Sequence, residues 1–147
     1  MKESFESFLF AKLKVDRNSK FLLAVSGGMD SMTLWHLFRS SELKYVIAHC
    51  NFKLREGDSD LDESFVKDYA TKSEKVFTKS FKTQKYAKEK SISIQMAARD
   101  LRYNWFAKLA VDFKAKIAIA HHANDVAETM LFNLAKGTGL AGLHGIA

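Results

Sequence analysis

Four short apolar runs, at 21–26 (FLLAVS), 44–50 (KYVIAHC), 75–81 (KVFTKSF) and 116–121 (KIAIAH), are separated by longer stretches with helical spacing. Runs of this length read as strands, whereas apolar residues three or four apart read as amphipathic helices. Helices are accordingly expected over 3–14 (Phe5, Phe8, Leu9, Leu13), from the turn at 26–31 to about 40, and over 59–72, 84–90, 94–113 and 125–135. Met96, Leu101, Trp105, Phe106 and Leu109 are the core candidates of the longest. A strand joined to the next through a helix must cross over, which leads to parallel pairing with one hand. The pattern therefore predicts an α/β chain: an open, four-stranded parallel sheet with helices on both faces.

Composition narrows the setting. The 147 residues suit one domain and leave little room for a second. The longest apolar runs fall far short of the roughly 20 residues of a membrane span, and the charged first twenty residues do not resemble a secretory leader. A single cysteine, Cys50, excludes an intrachain disulfide or a paired-cysteine metal site, and reads as a small buried hydrophobe in a cytoplasmic protein. The net charge of +6 is uneven: residues 74–147 hold 12 basic and 6 acidic side chains. Lys75, Lys79, Lys82, Lys85, Lys88 and Lys90 are interleaved with Phe77, Phe81 and Tyr86. Such a segment can meet a phosphate backbone or can be a solvated face.

Three polar clusters follow predicted strands: SGGMDS at 26–31, HCNFKLR at 49–55 and HHANDVAET at 121–129. All three fall at the carboxyl edge of the sheet, where open α/β folds hold ligands. In SGGMDS, Gly27 and Gly28 allow a tight turn and close backbone approach, and the turn and helix-start amides form a nest for phosphates. Ser26 and Ser31 add hydroxyls, and Asp30 can hold a magnesium ion bridging the phosphates. The plainer alternative is a strand-to-helix turn with Ser or Asp as its N-cap. No Walker A lysine follows, no G-x-G-x-x-G is present, and Val25-Ser26-Gly27 lacks the leading glycine of a nucleophile elbow.

In HHANDVAET, Asp125 and Glu128 also fit a capping box, and no third zinc ligand accompanies His121 and His122. If Asp125 and Asp30 project into one crevice, they can hold a metal or orient a reacting group. Lys53 and Arg55 could offset negative charge, and His49 could bond or stack on a base or simply pack. Arg99 and Arg102, three apart on a helix, are either a surface pair or a cationic grip on a triphosphate or tRNA.

The ordered set SGGMDS, HCNFKLR, AARDLRY, HHANDVAET and KGTGLAGLHGI is similar to the tRNA(Ile)-lysidine synthetase family of PP-loop ATP pyrophosphatases. The resemblance implies a Rossmann-like PP-loop domain over 1–147, cut short at its C-terminus, since relatives continue past GLxGI and soon meet a proline. Proline is absent here, where average usage of about 5% would give roughly seven. It implies adenylation of the wobble cytidine of an isoleucine tRNA with a CAU anticodon, followed by displacement of AMP by L-lysine. ATP is then the co-substrate and Mg²⁺ the cofactor.

On that resemblance Ser26, Gly27, Gly28, Met29, Asp30, Ser31 and His49 bind nucleotide. Asp30 and Asp125 serve Mg²⁺ and catalysis with Arg99, and Arg55, Arg102, Lys82, Lys85 and Lys88 face tRNA. A homodimer remains open. The chain departs from the family at Phe52 (often His), Asn124 (often Asp) and Lys136 (often Arg). Cys50 alone argues against the related tRNA thiolases, which need more cysteines. The alternatives are a nucleotide-binding module without catalysis and a PP-loop enzyme acting on a small metabolite.

Overall fold

The computed structural model describes residues 2–54, 57–120 and 132–135. Strands β1 (Lys20–Ala24), β2 (Lys44–Asn51), β3 (Val76–Ser80), β4 (Lys116–Ala120) and β5 (Phe132–Ala135) form one sheet in the order β3-β2-β1-β4-β5. β1 pairs in parallel with β2 and β4, and β2 with β3, while β5 runs antiparallel to β4. The expected parallel α/β sheet is thus present, with an antiparallel fifth strand at one edge. Residues 132–135 were expected to end a helix. A four-residue FNLA run has no decisive period, and as a strand it pairs with the otherwise open edge of β4.

Helices α1 (Lys2–Glu6), α2 (Met29–Ser40), α3 (Asp58–Tyr69), α4 (Thr83–Lys90) and α5 (Ile94–Phe113) complete the described architecture, and α1 widens into a π-helical turn at Ser7–Lys12. Ser93 caps α5 by accepting a hydrogen bond from the Met96 amide at 3.1 Å.

The central strand β1 is apolar at every position but its first because both its faces are covered. Phe21, Leu23 and Val25 join Phe5, Leu9, Leu34, Trp35, Phe38 and Val66 on one face. Leu22 and Ala24 join Ala48, Tyr103, Trp105, Phe106, Ala110 and Ile117 on the other. Each fully buried Leu or Phe contributes roughly 1.5–3 kcal/mol of transfer free energy, so a polar residue in this alternation would be costly. Met96 is an exception among the expected core residues: it lies 47% exposed in the first turn of α5.

The two crossovers through α2 and α3 step outward from β1 to β3 with side chains of both helices packed on the first face. The crossover through α4 and α5 steps back past β1 to β4 with α5 on the second face. Changing face when the direction reverses keeps the crossover hand constant. The reversal sits between β1 and β4, and it opens the crevice in which such sheets take ligands.

Candidate functional site

The chain leaves β1 through Val25, whose amide donates to the Ala48 carbonyl at 2.9 Å, and then turns sharply. Gly27 has φ +96°, a conformation that disfavours a Cβ. A Cβ built there would stand 3.6 Å from the Asp62 Cβ, an ordinary contact, so conformation rather than space demands glycine.

Ser31, a buried residue in the first turn of α2, organises the turn. Its Oγ accepts from the amides of Ser26 (3.1 Å) and Gly27 (3.3 Å), lies 3.2 Å from the Ser26 Oγ, and donates to the Gly28 carbonyl at 3.0 Å. The Gly28 amide in turn donates to the Ser26 Oγ at 3.2 Å. Gly28 is the N-cap of α2 and offers no side chain, so neither a serine nor Asp30 caps the helix. The first amides of an α-helix have no intrahelical acceptor and carry the positive end of its dipole. An uncapped helix start at the switch point therefore presents a ready anion site.

Asp30 stands half-buried in that first turn, and Met29 is 85% exposed beside it. Mg²⁺ takes hard oxygen ligands, commonly one or two carboxylates plus phosphate oxygens and water. A carboxylate-bearing residue in the first turn of α2, Asp30, fits that requirement. β4 ends at Ala120, beside β1 in the same sheet. The cluster that follows it, with His121, His122, Asn124, Asp125 and Glu128, lies outside the described residues, as do Arg55 and Lys136. Among the described residues, no group of three His, Cys, Asp or Glu side chains could hold a metal ion.

β2 braces the loop from the other side. His49 is buried, and its Nδ1 lies 2.7 Å from the Val25 carbonyl, so Nδ1 carries the proton. Its Nε2 is buried and has no hydrogen-bond partner among the described residues. Asn51, 1% exposed, donates to Asp60 (2.7 Å) and Glu63 (3.4 Å), and its Oδ1 accepts from the Lys53 amide at 3.0 Å. Lys53 pairs with Asp60 at 2.5 Å and Lys67 with Glu63 at 3.0 Å. Hydrogen bonds from Lys53 and Asn51 hold the Asp60 carboxyl below its usual range. Burial pushes Glu63 up, but the bonds from Lys67 and Asn51 outweigh it and the net shift is downward.

The sequence marks Asp60, Asp62 and Glu63 only as acids suited to a helix start. In the fold Asp60 and Glu63 also tie α3 to the end of β2, and Asp62 lies beside Gly27. Asn51 carries no sequence signal beyond its place in HCNFKLR.

The candidate cations gather on the second face. Arg99 and Arg102 share one aromatic ring, lying 4.8 and 5.2 Å from the Tyr103 centroid. Lys82 is the N-cap residue of α4, and Lys82, Lys85 and Lys88 are all exposed. Burial pushes the half-buried Cys50 thiol up to about 12 despite nearby Arg102 and Lys79, so it is an inert thiol at neutral pH.

At the opposite, amino edge of the strands a cavity of about 470 Å³ is lined by Lys20, Lys44, Tyr45, Glu74, Lys75 and Phe113, among others. Its carboxylate is already engaged. Glu74 accepts from Arg39 (2.6 and 3.1 Å), Trp35 (2.9 Å), the Thr71 amide (2.9 Å) and Tyr45. Burial pushes the Glu74 carboxyl up, but these bonds bring it down to about 2. This cluster is a structural anchor rather than a reactive centre.

A largely parallel sheet with a glycine turn and an uncapped helix at its switch point defines a Rossmann-like α/β domain. A family model described as a PP-loop domain matches residues 1–147, and the chain belongs to that family. It is 48% identical to a tRNA(Ile)-lysidine synthase of Bacteroides thetaiotaomicron, over 88% of this chain and 31% of that protein. Similarity to the enzymes of the same name from Porphyromonas gingivalis (45%, over 92% of this chain and 30% of that one) and Chlorobaculum tepidum (46%, over 85% and 40%) is comparable. The chain spans between 30% and 40% of the length of these curated relatives. Among the described residues no helix is long and apolar enough to cross a membrane.

Proposed function

We propose that this chain is the ATP-binding and adenylating portion of a tRNA(Ile)-lysidine synthetase-type ligase working in the cytoplasm. The observation that carries this reading is the 26–31 turn. Its positive-φ glycine, serine-bonded backbone and uncapped helix start make a phosphate cradle at the switch point. The 48% identity to a tRNA(Ile)-lysidine synthase supports the choice of reaction.

In this reading the first amides of α2, from Met29 to Ser31, bind the ATP phosphates, with the Ser26 hydroxyl beside them. The C2 carbonyl oxygen of the wobble cytidine attacks the α-phosphorus, the bond to the bridging oxygen breaks, and pyrophosphate leaves with the electron pair. The ε-amine of L-lysine then attacks C2, AMP departs, and the amine gives up a proton. The work is positioning and charge neutralisation, so no enzyme nucleophile is needed. Magnesium, held by Asp30 and Asp125, would supply charge neutralisation on the phosphates. Arg99 steadies the departing charge, and His49 holds the root of the loop beneath the nucleotide. Arg55, Arg102, Lys82, Lys85 and Lys88 attract the tRNA backbone.

Incubation with ATP, Mg²⁺, labelled lysine and an isoleucine tRNA bearing CAU tests the reading. Lysine-dependent AMP release with label in the tRNA is the expected result. ATP binding without turnover would reduce the chain to a nucleotide-binding module, and AMP release without tRNA would point to a metabolite substrate.

A further inference from the structure

Phe52 follows the end of β2, and its ring stacks on Phe81 with centroids 5.7 Å apart and planes at 21°. Phe81 is buried and is backed by the edge of Trp105 at 6.1 Å. The backbone is pinned on both sides. The Phe81 amide donates to the Asn51 carbonyl at 2.8 Å, and the Thr83 hydroxyl donates to the Phe52 carbonyl at 2.8 Å. Phe52 itself is only half-buried at the carboxyl edge of the sheet.

One cation lies against this stack. The Lys79 ammonium lies 5.6 Å from the Phe81 centroid, and Lys53 and Lys82 flank the two phenylalanines in sequence. Tyr103, the ring that Arg99 and Arg102 share, belongs with Cys50, Phe52 and Phe81 to the cluster on the second face of the sheet. An aromatic ring with cations on the same face of the sheet is what single-stranded nucleic acid uses: bases stack, and phosphates meet the cations. A duplex offers no free base face to such a ring.

We infer that Phe52, supported by Phe81, is a stacking platform for an unpaired RNA base, and that Lys79, Lys82 and Arg102 hold the adjoining phosphates. This deepens the tRNA-ligase reading and rests on it for the identity of the RNA. It assigns Phe52, which stands where relatives often carry histidine, a substrate-binding role.

The test is fluorescence anisotropy with a short, labelled, single-stranded oligoribonucleotide containing CAU, titrated with the full chain at several salt concentrations. Phe52→Leu keeps an apolar side chain against Phe81 but removes the π-face. It should weaken binding about tenfold with the salt slope unchanged. Phe52→Tyr and Phe52→Trp should bind as the wild type does, and emission of the new tryptophan should be quenched by the RNA. Lys79→Ala and Lys82→Ala should each lower the salt slope by about one instead.

Wild-type affinity in Phe52→Leu, failure of Phe52→Tyr to restore binding, or absence of quenching in Phe52→Trp would overturn the inference. So would equal, Phe52-dependent binding of the annealed duplex or of poly-glutamate. The assay needs neither ATP nor turnover. Loss of stacking with lysidine formation intact would refute only the platform, and the converse would refute only the ligase reading.

Discussion

Replacing Ser31 with alanine removes one oxygen that holds the whole phosphate turn. The deleted hydroxyl accepts from two backbone amides at 3.1 and 3.3 Å and donates to the Gly28 carbonyl at 3.0 Å. A typical intramolecular hydrogen bond contributes about 0.5–1.5 kcal/mol net. Ser26 is exposed and Gly27 half-buried, so water can reach the released amides and each bond falls toward the low end of that range. The three together then come to about 2 kcal/mol. That loss must appear somewhere.

If the free turn relaxes and ATP must rebuild it, the affinity for ATP–Mg²⁺ falls about 30-fold, since about 1.4 kcal/mol is a factor of ten. If the turn stays formed, the loss appears in folding instead, as a drop in Tm of about 4–8 °C for a chain of this size. Calorimetric ATP titration and thermal unfolding of the same variant measure both shares. Ser40→Ala, at the far end of α2, is the control and should change neither. A Ser31→Ala protein with wild-type affinity and wild-type Tm would refute the role given to this hydroxyl.

Gly27→Ala has room for its methyl group but must hold φ near +96°, so it should lose on the order of 1–2 kcal/mol between Tm and ATP affinity. A variant as stable and as tight-binding as wild type would mean the turn does not need this conformation. Glu74 titrates at about 2 in the fold against an ordinary 4.5, so its contribution is complete above pH 4.5 and is lost as pH falls toward 2. Glu74→Gln should cost on the order of 2–3 kcal/mol at pH 7 and flatten the acid limb of the denaturation profile; an unchanged limb would contradict this. His49→Asn keeps a donor for the Val25 carbonyl, whereas His49→Leu leaves that carbonyl unpartnered at a cost of about 1–3 kcal/mol. Equal Tm and ATP affinity in the two variants would remove His49 from the support of the loop.

The parts of this fold that the sequence makes legible are those governed by local spacing. FLLAV is apolar at each position because β1 is central and covered twice. The long helix at Ile94–Phe113 announces itself by its apolar period. SGGMDS is legible as a turn because glycine is the residue that tolerates the φ observed at Gly27.

What stays hidden is long-range. The anchor at Glu74 joins side chains from Trp35, Arg39 and Tyr45, and none of these shares a local pattern with it. Asn51 is buried and polar because α3 supplies carboxylates for it, which spacing along β2 cannot reveal. Met96 has the right period for a core residue, but the first turn of α5 leaves it exposed. Arg99 and Arg102 were expected on one helical face, but their convergence on Tyr103 is a matter of three-dimensional placement.

The central claim is that nucleotide phosphates bind at the start of α2. Backbone amide chemical shifts recorded while ATP–Mg²⁺ is added test it most directly. The largest saturating changes should fall on the first amides of α2, from Met29 to Ser31. Changes centred instead on Lys20, Lys44 and Lys75 at the opposite edge, or none at all, would contradict it.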